Sequence, residues 1–127
     1  MKHSTIFGTI FFTTVMASAL VGCGGDSTAT PDAAAAAIAS EVPCGGATVT
    51  ATVTAPSFAY TITPSPMITV NQVVKFEMVA GTSHDVNSNG QGFDTGFGVT
   101  KCFKFNKAGS YTFKCTPHAF TGTIVVQ

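Results

Sequence analysis

A row of large side chains near the C-terminus constrains this chain most. Phe103, Phe105, Tyr111, Phe113 and Cys115 share one parity on the two arms of a hairpin that turns at Ala108-Gly109. Side chains alternate between the faces of a strand, so all five face the same way and Cys115 arrives at the end of a core-facing row. Residues 48–54 alternate Thr with Val or Ala, the period-2 signature of a half-buried strand. Further strands are expected at 58–63, 67–70, 73–79, 84–87, 101–106, 110–115 and 122–127. Turn chemistry separates them at Pro64-Ser65-Pro66, Asn89-Gly90 and Ala108-Gly109. Short strands at this spacing predict an all-β sandwich or barrel. The absence of Trp and the 11 Phe, with abundant Gly, Thr and Val, agree with a β-rich domain.

The N-terminus reads as a targeting segment. Lys2 gives a positive start and residues 6–21 are apolar apart from a few Thr, Ser and Gly. Leu20-Val21-Gly22-Cys23 resembles the bacterial lipobox, in which a small residue precedes a Cys that receives diacylglycerol once the leader is removed. Residues 1–22 are therefore expected to be a lipoprotein signal peptide, and 23–43 the lipidated Cys23 with a flexible Ala/Gly-rich tether. Residues 44–127 are the expected working domain. Such an anchor holds a protein at a membrane without spanning it. Location would be the periplasm or cell surface, with the outer membrane favoured in a two-membrane organism because Gly24, not Asp, follows Cys23. Every basic residue is a Lys and the charges balance at zero, which removes the electrostatic footprint of nucleic-acid binding.

After removal of the leader and His3, two histidines remain, His84 and His118. The second lies three residues after Cys115 in Cys115-Thr116-Pro117-His118. A Cys and a His separated by two residues at a strand end can put a thiolate and an imidazole on one metal, with the other His coming from a distant segment. Pro117 stiffens that loop and removes a backbone N–H.

At these residues the chain resembles the cupredoxins, the type 1 blue copper proteins, most closely the plastocyanin, amicyanin and pseudoazurin group. The strongest element is Gly109-Ser110-Tyr111-Thr112-Phe113-Lys114-Cys115-Thr116-Pro117-His118, followed by Gly122-Thr123-Ile124-Val125-Val126. Upstream, Ile68-Thr69-Val70 with Val73-Val74-Lys75-Phe76, then Ser83-His84-Asp85-Val86 and Phe93-Asp94-Thr95-Gly96, fall where the family has strands, its first His ligand and a turn. The resemblance implies a Greek-key β-sandwich of about 7–8 strands, with one type 1 copper held by His84, Cys115 and His118. It implies an electron carrier and not an enzyme, a monomer exchanging single electrons with redox proteins such as c-type cytochromes or an envelope oxidoreductase. A docking patch is expected at Pro117, Ala119 and Phe120, with Phe93 and Phe97 adding to it.

Two departures from that pattern matter. Only Ala119, Phe120 and Thr121 separate His118 from Gly122, one residue fewer than the family has around its axial Met. Counting back from Gly122 puts Phe120 at the axial position, and counting forward from His118 puts Thr121 there. A Phe leaves copper three-coordinate and raises the reduction potential, whereas a Thr hydroxyl acts weakly the other way. The second departure is Asp85, where the family commonly has Asn. Its backbone N–H can still reach Cys115 and its side chain Thr116, but a carboxylate favours the oxidised metal.

Several rivals compete. Cys44 and Cys102 are read as a disulfide of an exported domain. The alternative joins Cys102 to His84, Cys115 and His118 in a tetrahedral zinc site, against which Cys102 has the wrong parity. Asp94-Thr95-Gly96 is also the aspartic-protease motif, but followed by Phe97 it reads as a structural turn. A Cys115–His118 nucleophilic pair lacks an orienting acid. The functional alternative keeps copper and makes the chain a copper-binding or copper-delivery protein. Met67 and Met78, both in strand patterns, read as core.

Overall fold

The computed structural model describes residues 36–127. The expected leader, Cys23 and the tether up to residue 35 lie outside the described residues. Eight strands form two sheets: β1 (Ala39–Val42), β2 (Val49–Ser57), β3 (Ala59–Thr63), β4 (Met67–Ile68), β5 (Val73–Glu77), β6 (Lys101–Phe105), β7 (Gly109–Lys114) and β8 (Thr121–Val126). One sheet has the order β1-β6-β5-β2-β3 and the other β4-β8-β7. Two pairings are parallel, β2 with β5 and β4 with β8, and the rest antiparallel. The fold is the all-β sandwich that the strand pattern predicts.

The core lies where alternation puts it. Ala51, Val53, Val74, Phe76, Phe103 and Phe105 are buried in the five-stranded sheet, and Ile68, Tyr111, Phe113, Ile124 and Val126 in the three-stranded one. Burying a Phe side chain stabilises by roughly 2–3 kcal/mol, so the clustered Phe residues carry much of the core. Phe93 closes it from a loop, its ring centroid 5.2 Å from Phe105 and 5.8 Å from Phe76. That corrects the expectation that Phe93 adds to a surface patch: its side chain is wholly buried. Met78 is core as expected, but Met67 is half exposed, because β4 is an edge strand with only two residues to pack.

Two further boundaries differ from expectation. The sheet begins before residue 44, since β1 pairs antiparallel with β6 from Ala39↔Phe105 to Val42↔Cys102. Asn106 holds its start, donating from its backbone N–H to the Ile38 carbonyl at 2.8 Å and from its side chain to Ser40 at 2.6 Å. Residues 39–42 therefore belong to the fold and not to the tether. Residues 84–87, expected as a strand, make only an isolated bridge between Asn87 and Lys114. Just past β1, a 3-10 turn at Cys44–Gly46 brings Cys44 to Cys102, and the two form a disulfide. Cys102 pairs with Val42 and Lys75 on the outer face of the sheet, as its parity required, so it is not a fourth metal donor.

Candidate metal centre

Two segments meet at the end of β7. Asn87 and Lys114 exchange backbone hydrogen bonds at 2.8 and 3.0 Å, which sets residues 84–87 against the strand that ends in Cys115. Beyond Cys115 the chain closes on itself: the Cys115 N–H donates to the Phe120 carbonyl at 3.0 Å and the Ala119 N–H to the Cys115 carbonyl at 2.9 Å. Closing so short a loop puts Ala119 at φ 59°, a left-handed conformation.

The result brings His84, Cys115 and His118 together, with one donor atom of each lying within 4.8 Å of the others. The sulfur is 3.7 Å from His84 Nδ1 and 3.5 Å from His118 Nδ1. A trigonal centre with bonds of about 2.0 Å to nitrogen and about 2.3 Å to sulfur, the lengths zinc makes with these donors, separates N from S by about 3.7 Å. The three residues therefore fit one first-row ion between them. Cys115 is wholly buried, while His118 reaches the surface.

Burial pushes the Cys115 thiol up from its ordinary range, the Asp85 carboxylate pushes the same way, and the backbone N–H groups of Asp85 and His118 act against both. A metal that takes the thiolate supplies the missing compensation. The Ser83 carbonyl oxygen lies 3.9 Å from the same sulfur.

Asp85 ties the two segments as its position predicts. One carboxylate oxygen accepts the Thr116 N–H at 2.7 Å and the other accepts the Thr116 hydroxyl at 2.6 Å. Pro117 lies exposed in the loop. Of the two axial candidates, Phe120 packs against both imidazoles, with ring centroids 5.4 Å from His84 and 6.1 Å from His118. Thr121 is exposed in β8, opposite Lys114. Phe120 is the residue the strand register favours.

The His84 side is held by residues that sequence reasoning valued differently. The Gly98 N–H donates to the His84 carbonyl at 3.0 Å. Thr95 accepts the Val86 N–H on its hydroxyl at 2.8 Å, and its own N–H donates to the Val86 carbonyl at 2.9 Å. Asp94 accepts the Ser88 N–H and hydroxyl at 2.6 and 3.0 Å. Asp94-Thr95-Gly96 is thus a bracket for the first ligand segment, in keeping with its reading as a turn.

Two residues near the ligands were missed. Phe58, 71% exposed at the bend between β2 and β3, sets its ring edge-on to His118 at 4.9 Å and to His84 at 6.2 Å. Tyr60 donates its hydroxyl to the Asp85 carbonyl and packs on Phe113 and Phe120. Burial, then the charges of Cys115 and Asp85, push that hydroxyl above the ordinary phenol range, so it stays a donor. No local pattern marks either residue, since both lie more than twenty positions before His84.

A model of the family described as copper-binding proteins, plastocyanin/azurin family, matches residues 52–127. Among solved structures, a reduced tryptophan-to-tyrosine mutant of amicyanin is similar at 21% identity with a TM-score of 0.50, covering 71% of this chain and 99% of that one. A methionine-to-alanine mutant of amicyanin in the Cu(I) form gives 20% identity and a TM-score of 0.50, covering 71% and 99%. Amicyanin from Paracoccus versutus gives 24% identity and a TM-score of 0.44, covering 69% and 92%. No curated protein sequence matches the chain.

Proposed function

Because the chain belongs to the plastocyanin/azurin family of copper-binding proteins, we propose that it carries single electrons in the cell envelope, with His84, Cys115 and His118 holding one type 1 copper. One observation carries the reading: the buried Cys115 sulfur and a ring nitrogen from each of His84 and His118 lie within 4.8 Å of one another, on two loops braced from several sides. Copper supplies there a one-electron couple between Cu(II) and Cu(I), which soft sulfur with two imidazoles suits.

The residues of the chain provide the rest. The Asp85–Thr116 hydrogen bonds and the bracket at residues 94–98 hold the donors in one arrangement, so little rearranges when the charge changes. His118, at the surface, gives the shortest way in for an electron. Around it Phe58, Pro117 and Ala119 are exposed and uncharged, a face suited to brief contact with another redox protein such as a c-type cytochrome or an envelope oxidoreductase. Phe120, packed against both imidazoles, offers no donor atom, which would raise the potential of a bound copper, and the Asp85 carboxylate would work against that.

Residues 1–22 act as the leader in this proposal, and Cys23 carries the lipid that holds the domain at the membrane. Its support is the Leu20-Val21-Gly22-Cys23 motif. Replacing Cys23 by Ala is expected to move the protein from the membrane to the soluble fraction; continued membrane association would remove the anchor from the proposal.

An absorption and EPR spectrum of the copper-loaded protein, with its reduction potential, tests the central claim. An intense visible band that bleaches on reduction, returns on oxidation and is lost in Cys115→Ser is expected. A colourless protein that surrenders Cu(I) to chelators would instead support copper delivery.

A further inference from the structure

Tyr60 lies in β3, outside both ligand segments, and touches both. Its hydroxyl donates to the carbonyl of Asp85, the residue after His84. Its ring centroid lies 4.7 Å from Phe120 and 4.8 Å from Phe113. The β8 backbone closes the arrangement from behind. A Cβ added at Gly122 would come within 2.5 Å of the Phe113 ring and 3.1 Å of the Tyr60 ring, so both rings press directly on the backbone there. Tyr60 has no room to retreat on that side, and Phe120 is backed by a fixed surface.

What Phe120 does depends on that backing. Its ring packs against both imidazoles. Were copper held by the Cys115 thiolate and the two imidazoles, any further group within its reach would bias its preference between oxidation states. A hydrocarbon ring there offers nothing to Cu(II), whereas water would stabilise it. An unsupported Phe at the end of a six-residue loop has other rotamers open to it. The Tyr60 ring lies directly against it, edge-on with centroids 4.7 Å apart.

On the copper reading above, we propose that Tyr60 is a positioning residue of the metal site. Its ring holds Phe120 against the imidazoles, where it would keep water from a bound copper, and its hydroxyl fixes the Asp85 backbone next to His84. Tyr60 touches neither the metal nor a ligand atom in this role.

The test uses the full chain loaded with copper, as wild type, Tyr60→Leu and Tyr60→Phe. Reduction potentials are measured, and the Cu(II) EPR signal is examined in D2O for echo modulation by bound deuterium. Tyr60→Leu is expected to lower the potential and to show coordinated water. Tyr60→Phe keeps the ring, so it is expected to stay dry with a potential close to wild type, while losing copper to a chelator roughly fivefold faster, the size of one net hydrogen bond. A Tyr60→Leu protein with the wild-type potential and no bound water, changed only in its unfolding temperature, makes Tyr60 a packing residue and overturns the proposal. Should Tyr60→Leu fail to fold, the other proteins still decide. Coordinated water in wild type overturns the role of the ring, and an unchanged rate of copper loss in Tyr60→Phe overturns that of the hydroxyl. A wild-type protein with no visible band sinks the copper reading instead, a separate failure.

Discussion

The two ligand segments are built in opposite ways. The one from Cys115 to Phe120 is closed by its own backbone, with two hydrogen bonds spanning four and five residues, and it grows out of a hairpin in regular register. The one around His84 has almost no regular structure and is held by remote groups: Thr95, Asp94, Gly98 and the Tyr60 hydroxyl. A segment that carries its own closure is robust to what surrounds it. A segment held by borrowed hydrogen bonds is only as fixed as each lender. The two are joined by Asp85 and Thr116, which pass the order of the first to the second.

The largest expected effect comes where both depend on one contact. Gly122→Ala would put a methyl group 2.5 Å from Phe113 Cζ and 3.1 Å from Tyr60 Cδ2, so both rings must move. Overpacking of this kind costs about 1–3 kcal/mol, and the backbone of β8 leaves little room to relax. The unfolding temperature of the metal-free protein should fall, and the His84 and His118 NMR resonances should shift together. Movement of one alone would mean that the segments share less support than the geometry indicates.

Asp94→Ala separates them. Ser88 is buried, and its N–H and hydroxyl both donate to Asp94, so removal leaves buried donors without a partner at a cost of about 1–3 kcal/mol. The His84 resonance of the metal-free protein should broaden while that of His118 stays sharp. Asp94→Asn, which keeps the acceptor oxygen, should recover most of the loss. Thr95→Val is the milder form of the same test. It removes only the acceptor of the Val86 N–H and keeps the shape, and should cost about 1–2 kcal/mol, again on the His84 side. Equal broadening of His118 in either variant would contradict the division.

The same contrast explains what could be read from the sequence. Seven of the eight strands overlap segments where the sequence predicts a strand, and Cys115 with His118 sits in a contiguous motif, because those features are encoded by neighbours. The parity of Cys102 placed it on the outer face for the same reason. The sequence around His84 alternates well enough to suggest a strand, yet its hydrogen bonds go to residues 95 and 98 and its backbone only bridges Lys114 at one point. Strand β1 was hidden in an Ala-rich run whose composition argues for a tether, and it forms because β6 offers a free edge. Phe93 was misplaced because the turn after it is exposed while its own ring points into the core. Phe58 and Tyr60 belong to the site through sheet geometry alone. Pairing of distant strands is a tertiary fact, and period-2 reasoning does not carry it.

The smallest effect tests the self-closed loop itself. Ala119 adopts φ 59°, which costs an L-residue with a Cβ about 1–2 kcal/mol. Gly adopts that conformation freely, but it also gains freedom in the unfolded chain, worth about 0.5–1 kcal/mol in the opposite direction. Ala119→Gly should therefore stabilise the metal-free protein by about 1 kcal/mol or less. Ala119 lies outside the hydrogen bonds that hold His84, so the gain should leave the His84 resonance where it is. Loop closure depends on the Ala119 N–H donating to Cys115 and the Cys115 N–H donating to Phe120, both of which Gly preserves. If Ala119→Gly instead destabilised the protein and broadened His118, the Ala side chain would be holding the loop through packing. The Cys115 segment would then depend on its surroundings as much as the His84 segment does.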